Sequence, residues 1–272
     1  MTSLKAACIQ LCATPDIDEN LRQAEDFIKQ AAVEGATFIA TPENTCRMRA
    51  TKEQKLESSW EEKDHPAISF FSKLSKDLGV WLLIGSLSSV RLTSGKLANR
   101  SYLFNPDGDI AAKYDKIHLF DVDLPNGDCY RESDSCAGGE KAVLVDTDFA
   151  TLGLTICYDL RFPHLFRHLA KEGAHIITVP SAFTVPTGRA HWETLLRARA
   201  IETGCFIVAP AQCGEHEGGR GTWGHSLIIS PWGEILGEAG EAPGYITVDL
   251  DLDRVAKARG AVPSLRHDRD YS

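Results

Sequence analysis

The chain opens on a short apolar run at 5–10 and then switches to helical spacing, with Leu21, Ala24, Ile28, Ala31 and Ala32 recurring at intervals of three and four. Asp16 and Asp18 can cap this segment and Gly35 can stop it, which predicts a helix over about 18–34. The same reasoning predicts a helix from Pro66 through Ile68, Phe71, Leu74 and Leu78 to a terminating Gly79. Further helices are expected at about 163–172 and 191–203. Apolar runs of strand length, bounded by turn residues, fall at 37–41, 80–86, 101–105, 110–114, 142–145, 152–157, 175–179, 206–209, 226–229 and 245–249. Pro106-Asp107-Gly108 reads as the turn of a hairpin.

One segment recurs. Glu34-Gly35-Ala36-Thr37-Phe38-Ile39-Ala40-Thr41-Pro42 is echoed by Glu172-Gly173-Ala174-His175-Ile176-Ile177-Thr178-Val179-Pro180, each after a predicted helix. The period is far too long for a solenoid, and no Gly/Ser or Pro run divides the chain. One domain over 1–272 with two related halves is therefore expected. Apolar strands alternating with amphipathic helices imply an α/β architecture of two mixed sheets packed together and covered by helices.

With 43% hydrophobic and 25% charged residues, 272 positions are ample for a core. Lys and Arg number 29 against 38 Asp and Glu, a net charge of −9, so neither nucleic acid nor an anionic membrane is an expected partner. No apolar run approaches the ~18 residues of a membrane span, and no secretory leader pattern opens the chain. A cytoplasmic protein is expected, with its eight cysteines as free thiols and Asn99-Arg100-Ser101 a chance sequon.

Three residues stand where chemistry can be done. Glu43 follows an apolar strand at its C-terminal end, the side on which open α/β sheets place ligand-facing groups. Lys116 lies in Tyr114-Asp115-Lys116-Ile117-His118-Leu119-Phe120-Asp121, where a hairpin strand ends. Cys157 sits between a strand and a helix opened by Pro163, an elbow that exposes a nucleophile and aims backbone N–H groups at it. A Cys–His dyad using His118 or His225 is the competing chemistry. Gly219-Arg220-Gly221-Thr222-Trp223-Gly224 fits a dinucleotide fingerprint in letters, but it precedes a strand instead of opening a helix. His164 and His168 lack the further ligands a metal would need and read as part of a solvated helix face.

Together Glu43, Lys116 in Tyr-Asp-Lys-Ile-His-Leu-Phe-Asp, and Cys157 in Ile-Cys-Tyr-Asp-Leu-Arg-Phe-Pro resemble the Glu-Lys-Cys triad of the nitrilase superfamily of C–N hydrolases, over about Leu4 to Tyr271. The resemblance implies a four-layer αββα sandwich, no metal or organic cofactor, and a small-molecule amide substrate attacked by Cys157, whose thiolate a helix start and a lysine would favour, to give a thioester. Glu43 is then the base, and Lys116 with the backbone N–H of Tyr158 faces the oxyanion. Glu132 matches the family's second glutamate, which orients the lysine. The stretch Pro180 to Glu202 is similar to the Nit-type branch, which holds ω-amidases and deaminated glutathione amidases, and Ala211 to His216, followed by Trp223-Gly224-His225-Ser226 and Pro231-Trp232-Gly233, is similar to the latter. Gly221-Thr222-Trp223 departs from the Ser-Tyr pair common in animal members. On this resemblance Arg161 is expected to hold the substrate's acyl carboxylate, with Phe183 and Thr187 contacting substrate, in a homodimer or higher homo-oligomer. An N-carbamoyl hydrolase or a non-catalytic binding protein on the same scaffold are the other readings.

Overall fold

The computed structural model describes residues 3–124 and 127–270; Tyr271, the expected limit of the resemblance, lies outside them. Strands β1 (Ser3–Gln10), β2 (Phe38–Ala40), β3 (Trp81–Arg91), β4 (Leu97–Phe104) and β5 (Ile110–Asp115) belong to one sheet. A second sheet holds β6 (Val143–Asp146), β7 (Thr151–Leu154), β8 (Ile176–Thr178), β9 (Phe206–Ala209), β10 (Leu227–Ile229) and β11 (Ile235–Glu238). Strand β12 (Gly244–Asp251) returns to the first sheet, giving the orders β12-β1-β2-β3-β4-β5 and β6-β7-β8-β9-β10-β11. Reading along either order, the pairings run antiparallel, parallel, parallel, antiparallel, antiparallel. The two halves share one topology, and the repeated sequence segment supplies β2 in one and β8 in the other.

Side-chain alternation sorts the first sheet into two faces. Ala7, Ile9, Ile39, Leu82, Ile84, Tyr102 and Phe104 pack beneath helices α1 (Ile17–Val33) and α2 (Pro66–Leu78), against Leu21, Ala24, Ile28, Phe71 and Leu74. The intervening Ala6, Cys8, Phe38, Ala40, Leu83, Leu103 and Tyr114 share a core with Leu152, Leu154, Ile176 and Ile207 of the second sheet. That core continues to Phe166, Leu169, Trp192 and Leu196 of α3 (Pro163–Lys171) and α4 (Val185–Thr203). The result is the four-layer αββα sandwich. Helix ends follow the sequence: Asp16 accepts from the N–H groups of Asp18 and Glu19 at 2.9 and 3.1 Å, and Gly79 closes α2 at φ +65°.

Two expectations shift. The strand expected to reach Cys157 ends at Leu154, because Cys157 takes φ +49° and begins a 3₁₀ turn, Cys157–Arg161. Helix α4 starts six residues before the expected 191. Thr187 and Gly188 dilute the helical pattern there, and the ring of Trp223 occupies the space over Gly188, where a Cβ would meet Trp223 Cβ at 2.3 Å.

At the centre, Gly85 of β3 lies where the two repeat segments converge. A Cβ there would stand 2.1 Å from the carbonyl oxygen of Thr41, 2.5 Å from that of Pro42 and 2.4 Å from Cβ of Pro180. Gly85→Val is expected to destabilise the fold by about 3 kcal/mol or more, read as a lowered midpoint in denaturant. An unchanged midpoint would show that the sheets can separate at this point.

Candidate active site

Each acidic and basic group of the expected triad is delivered by the end of a strand. Beyond β2, Thr41-Pro42 leads to Glu43, and Asn44 takes a left-handed φ of +58°. Gln212 of the second half donates to the carbonyls of Glu43 and Asn44 at 3.0 and 3.2 Å, fixing this bend. Lys116 follows β5; its N–H donates to the Asn99 carbonyl at 3.0 Å and its own carbonyl accepts from Gly139 at 2.8 Å. Nζ of Lys116 reaches Glu43 Oε1 at 2.9 Å and Glu132 Oε2 at 2.8 Å. Glu132 Oε2 also accepts from the Phe120 N–H at 2.7 Å. Asn99 closes the ring, its Nδ2 donating to Glu43 Oε1 at 2.8 Å and to Glu132 Oε1 at 2.9 Å. Asn99 is 2% exposed, so its place in the sequon Asn99-Arg100-Ser101 is incidental to its role here.

Asp159 builds the elbow. Its carboxylate is wholly buried and accepts four hydrogen bonds: Ile156 N–H (2.9 Å) and Tyr114 hydroxyl (2.7 Å) on Oδ2, His118 N–H (3.0 Å) and Nδ1 (2.7 Å) on Oδ1. One side chain thereby ties the turn carrying Cys157 to the segment carrying Lys116. The Cys157 N–H donates to the Pro180 carbonyl at 2.9 Å, anchoring the strained residue to the repeat segment of the second half. Tyr158 follows at the N-terminal end of the turn, where helical N–H groups lack intrahelical acceptors.

The histidines of the competing dyad are engaged elsewhere. His118 has its Nδ1 on Asp159 and its ring stacked on Phe162, with centroids 3.5 Å apart. His225 Nδ1 lies 2.7 Å from Glu238 and its ring stacks on Trp223. No histidine is among the described residues lining the cavity onto which Cys157 opens.

Burial disfavours charge throughout the cluster, and the pairing decides where charge stays. For Glu43, Lys116 outweighs burial by its charge and hydrogen bond, so the carboxyl titrates below its ordinary value. Lys116 overcomes burial through Glu132 and Glu43, and its ammonium is held well above the ordinary value. Cys157 goes the other way: burial first, then the neighbouring Glu43 charge, raise its thiol well above the usual range, against the opposing effects of Lys116 and the Ala182 backbone N–H. The resemblance, with a helix start and a lysine near the sulfur, implies a favoured thiolate. The structure instead has a resting thiol beside a carboxylate able to take its proton.

The cavity holds about 350 Å³ and is lined by Glu43, Lys116, Glu132, Cys157, Tyr158, Phe183 and Thr187, joining seven of the eight expected site residues. Arg161 is not a lining residue. Its guanidinium stands over the rings of Phe183 and Tyr158, both cavity walls, at 5.4 and 5.9 Å. Asn99 and Arg220 line the cavity without having been anticipated. Arg220 belongs to the Gly219–Gly224 segment whose dinucleotide reading fails. It lies just before the short strand Gly221–Trp223, which pairs with Cys213–Glu215 across the second half.

The carbon-nitrogen hydrolase family model matches residues 5–260. A deaminated glutathione amidase of Synechocystis sp. is 41% identical over 270 residues, covering 96% of this chain and 97% of that protein. The omega-amidase NIT2 of Homo sapiens is 34% identical over 269 residues, covering 99% and 96%. The crystal structure of Saccharomyces cerevisiae Nit3, a member of branch 10 of the nitrilase superfamily, superposes with a TM-score of 0.89 at 30% identity, covering 99% of this chain and 97% of that one.

The raised thiol predicts a measurable resting state. Alkylation of Cys157 by iodoacetamide is expected to be slow at pH 7 and to keep accelerating above pH 9, because the thiolate is the reactive form. Mass spectrometry of the labelled peptide across pH 5–10 checks this. A rate already at its plateau by pH 7 would mean a preformed ion pair of the Cys–His kind.

Proposed function

The chain belongs to the carbon–nitrogen hydrolase family and is an amidase, and from that premise we propose that it hydrolyses deaminated glutathione to 2-oxoglutarate and cysteinylglycine. The observation that carries the chemistry is the buried Glu43–Lys116–Glu132 cluster beside the Cys157 thiol in one cavity. The full-length similarity to a deaminated glutathione amidase supports the substrate.

In the proposed reaction Glu43 takes the Cys157 proton as Sγ attacks the amide carbon. The carbonyl oxygen becomes an oxyanion facing the Lys116 ammonium and the Tyr158 N–H, donors fixed before the charge develops. Collapse breaks the C–N bond, and Glu43 returns its proton to the departing amine. A thioester with the 2-oxoacyl group remains. Glu43 then deprotonates a water that attacks the thioester, and collapse expels the Cys157 sulfur, which recovers the proton. Glu132 acts through Lys116 as a positioning residue. Arg161 is assigned to the acyl carboxylate from the edge of the cavity: its guanidinium stands over the rings of Phe183 and Tyr158, both cavity walls, its polar neighbour is His191 Nδ1 at 3.4 Å, and no described carboxylate pairs with it. Phe183 and Thr187 complete that wall.

The second reading is an ω-amidase acting on 2-oxoglutaramate, favoured by the similarity to omega-amidase NIT2. Both substrates would give the same acyl-enzyme, so they differ only on the leaving-group side. The proposal takes the chain as one catalytic domain, working in the cytoplasm as a homodimer or higher homo-oligomer on a small-molecule amide. All eight cysteines are unpaired, in keeping with a reducing compartment. No helix among the described residues is long and apolar enough to cross a membrane.

Steady-state hydrolysis of deaminated glutathione beside 2-oxoglutaramate tests the assignment. The expected result is a kcat/KM preference of at least about 10-fold for deaminated glutathione, with Cys157→Ala reducing turnover by roughly 10³-fold or more. Preference for 2-oxoglutaramate would make the enzyme an ω-amidase. Full activity in Cys157→Ala would overturn the thioester route.

A further inference from the structure

Outside the reacting cluster, the cavity is lined by the cations Arg49, Lys52, Lys55, Arg131 and Arg220, faced by the carboxylate of Asp134. This stands out in a chain whose net charge is −9. Arg131 is already engaged, paired with Asp123 at 2.7 Å and donating to the carbonyls of Val122 and Tyr130. The others are not so balanced. Lys52 and Lys55 stand on the short helix Lys52–Glu57, fixed by a Thr51–Gln54 capping box, and form no ion pair with any described residue.

Arg49 meets the second half of the molecule. Its Nη1 is 3.6 Å from Glu217 Oε1, while Oε2 of the same glutamate accepts from the Ala50 N–H at 3.3 Å. The turn presses so closely here that a Cβ on Gly218 would lie 2.8 Å from that of Ala50. Three residues beyond Glu217, Arg220 donates Nη2 to the Ala182 carbonyl at 2.8 Å. Nε of Arg49 and Nε of Arg220 are both buried donors with no acceptor among the described residues. Like charges gathered around a partly enclosed cavity repel one another, an arrangement that an anionic ligand relieves.

We propose that Arg49, Lys52 and Lys55, with Arg220 beside them, form a carboxylate subsite for the leaving group. The enzyme would thereby select amides whose departing amine ends in an anion, such as a small peptide with a free C-terminus, over amides that release ammonia. The inference rests on the substrate reading above. Cysteinylglycine places its carboxylate two residues beyond the scissile bond, about 7 Å along an extended chain. Ammonia leaving from 2-oxoglutaramate offers the subsite nothing.

The test pairs a charge change in the enzyme with one in the substrate. Wild type, Arg49→Gln and the double variant Lys52→Gln/Lys55→Gln are each assayed on deaminated glutathione, on its C-terminal glycinamide and on 2-oxoglutaramate. Arg220 is kept, because its charge also acts on Glu43. Amidating the substrate is expected to lower wild-type kcat/KM roughly 10- to 100-fold, the scale of a charge-assisted hydrogen bond. Each variant should lose a similar factor on deaminated glutathione, respond little to amidation, and stay within about 2-fold of wild type on 2-oxoglutaramate. Indifference of wild type to amidation, or an equal loss on all three substrates, would overturn the subsite alone. Wild-type preference for 2-oxoglutaramate would overturn the substrate reading, and the subsite with it, before any variant is examined.

Discussion

A lysine ammonium that is only 2% exposed can exist in this core because two carboxylates converge on it, and the architecture follows from that requirement. Removing either acid would leave a buried charge with incomplete compensation, at a cost of several kcal/mol. Glu43 comes from the end of β2, Lys116 from the end of β5 and Glu132 from a turn further on, so the trio forms only when the first sheet is complete. Asn99 on β4 holds both carboxylates at once, leaving each little freedom to turn away.

The second half contributes Cys157, and Asp159 brings the two halves to a common register. Its four hydrogen bonds join the backbone before Cys157 to Tyr114 and His118 on either side of Lys116. The positive φ at Cys157 is sustained by this carboxylate and by the Pro180 carbonyl, which over-determine the local geometry. The sulfur is thereby held beside a carboxylate that favours its charged form and an ammonium that is fixed, while itself favouring the protonated form. That division of charge suits a reaction in which proton removal accompanies attack.

The internal symmetry explains why the site lies where it does. Thr41-Pro42 and Val179-Pro180 are matching exits from the central strands of the two sheets. They meet over Gly85, the point at which any side chain would force the sheets apart. One exit leads directly to Glu43, and the other supplies the anchor for Cys157. Duplicated topology has thus been put to two different uses, one half presenting acid and cation, the other the thiol.

Much of this was legible in the sequence, for identifiable reasons. Helical periodicity with Asp16, Pro66 and Gly79 at the ends located α1 and α2, since capping and backbone preference are local. The repeat at 34–42 and 172–180 disclosed the two related halves, and the elbow before Pro163 singled out Cys157 from seven other thiols. Weaker local signals hid the start of α4, where Gly188 is explained only by Trp223 lying across it. What the tertiary structure alone decided depends on residues distant in the chain meeting at one place. In the sequence Asn99 is part of a chance sequon, Arg220 part of a failed nucleotide loop, and Asp159 one more acidic residue in a motif. Arg161, four residues past Cys157, stands over the rings of Phe183 and Tyr158 without itself lining the cavity, a placement set by contacts between the two segments. The sign of the Cys157 shift is likewise a tertiary result: the sequence shows a cysteine, a lysine and a glutamate, but burial and the distances between them determine which one holds the proton.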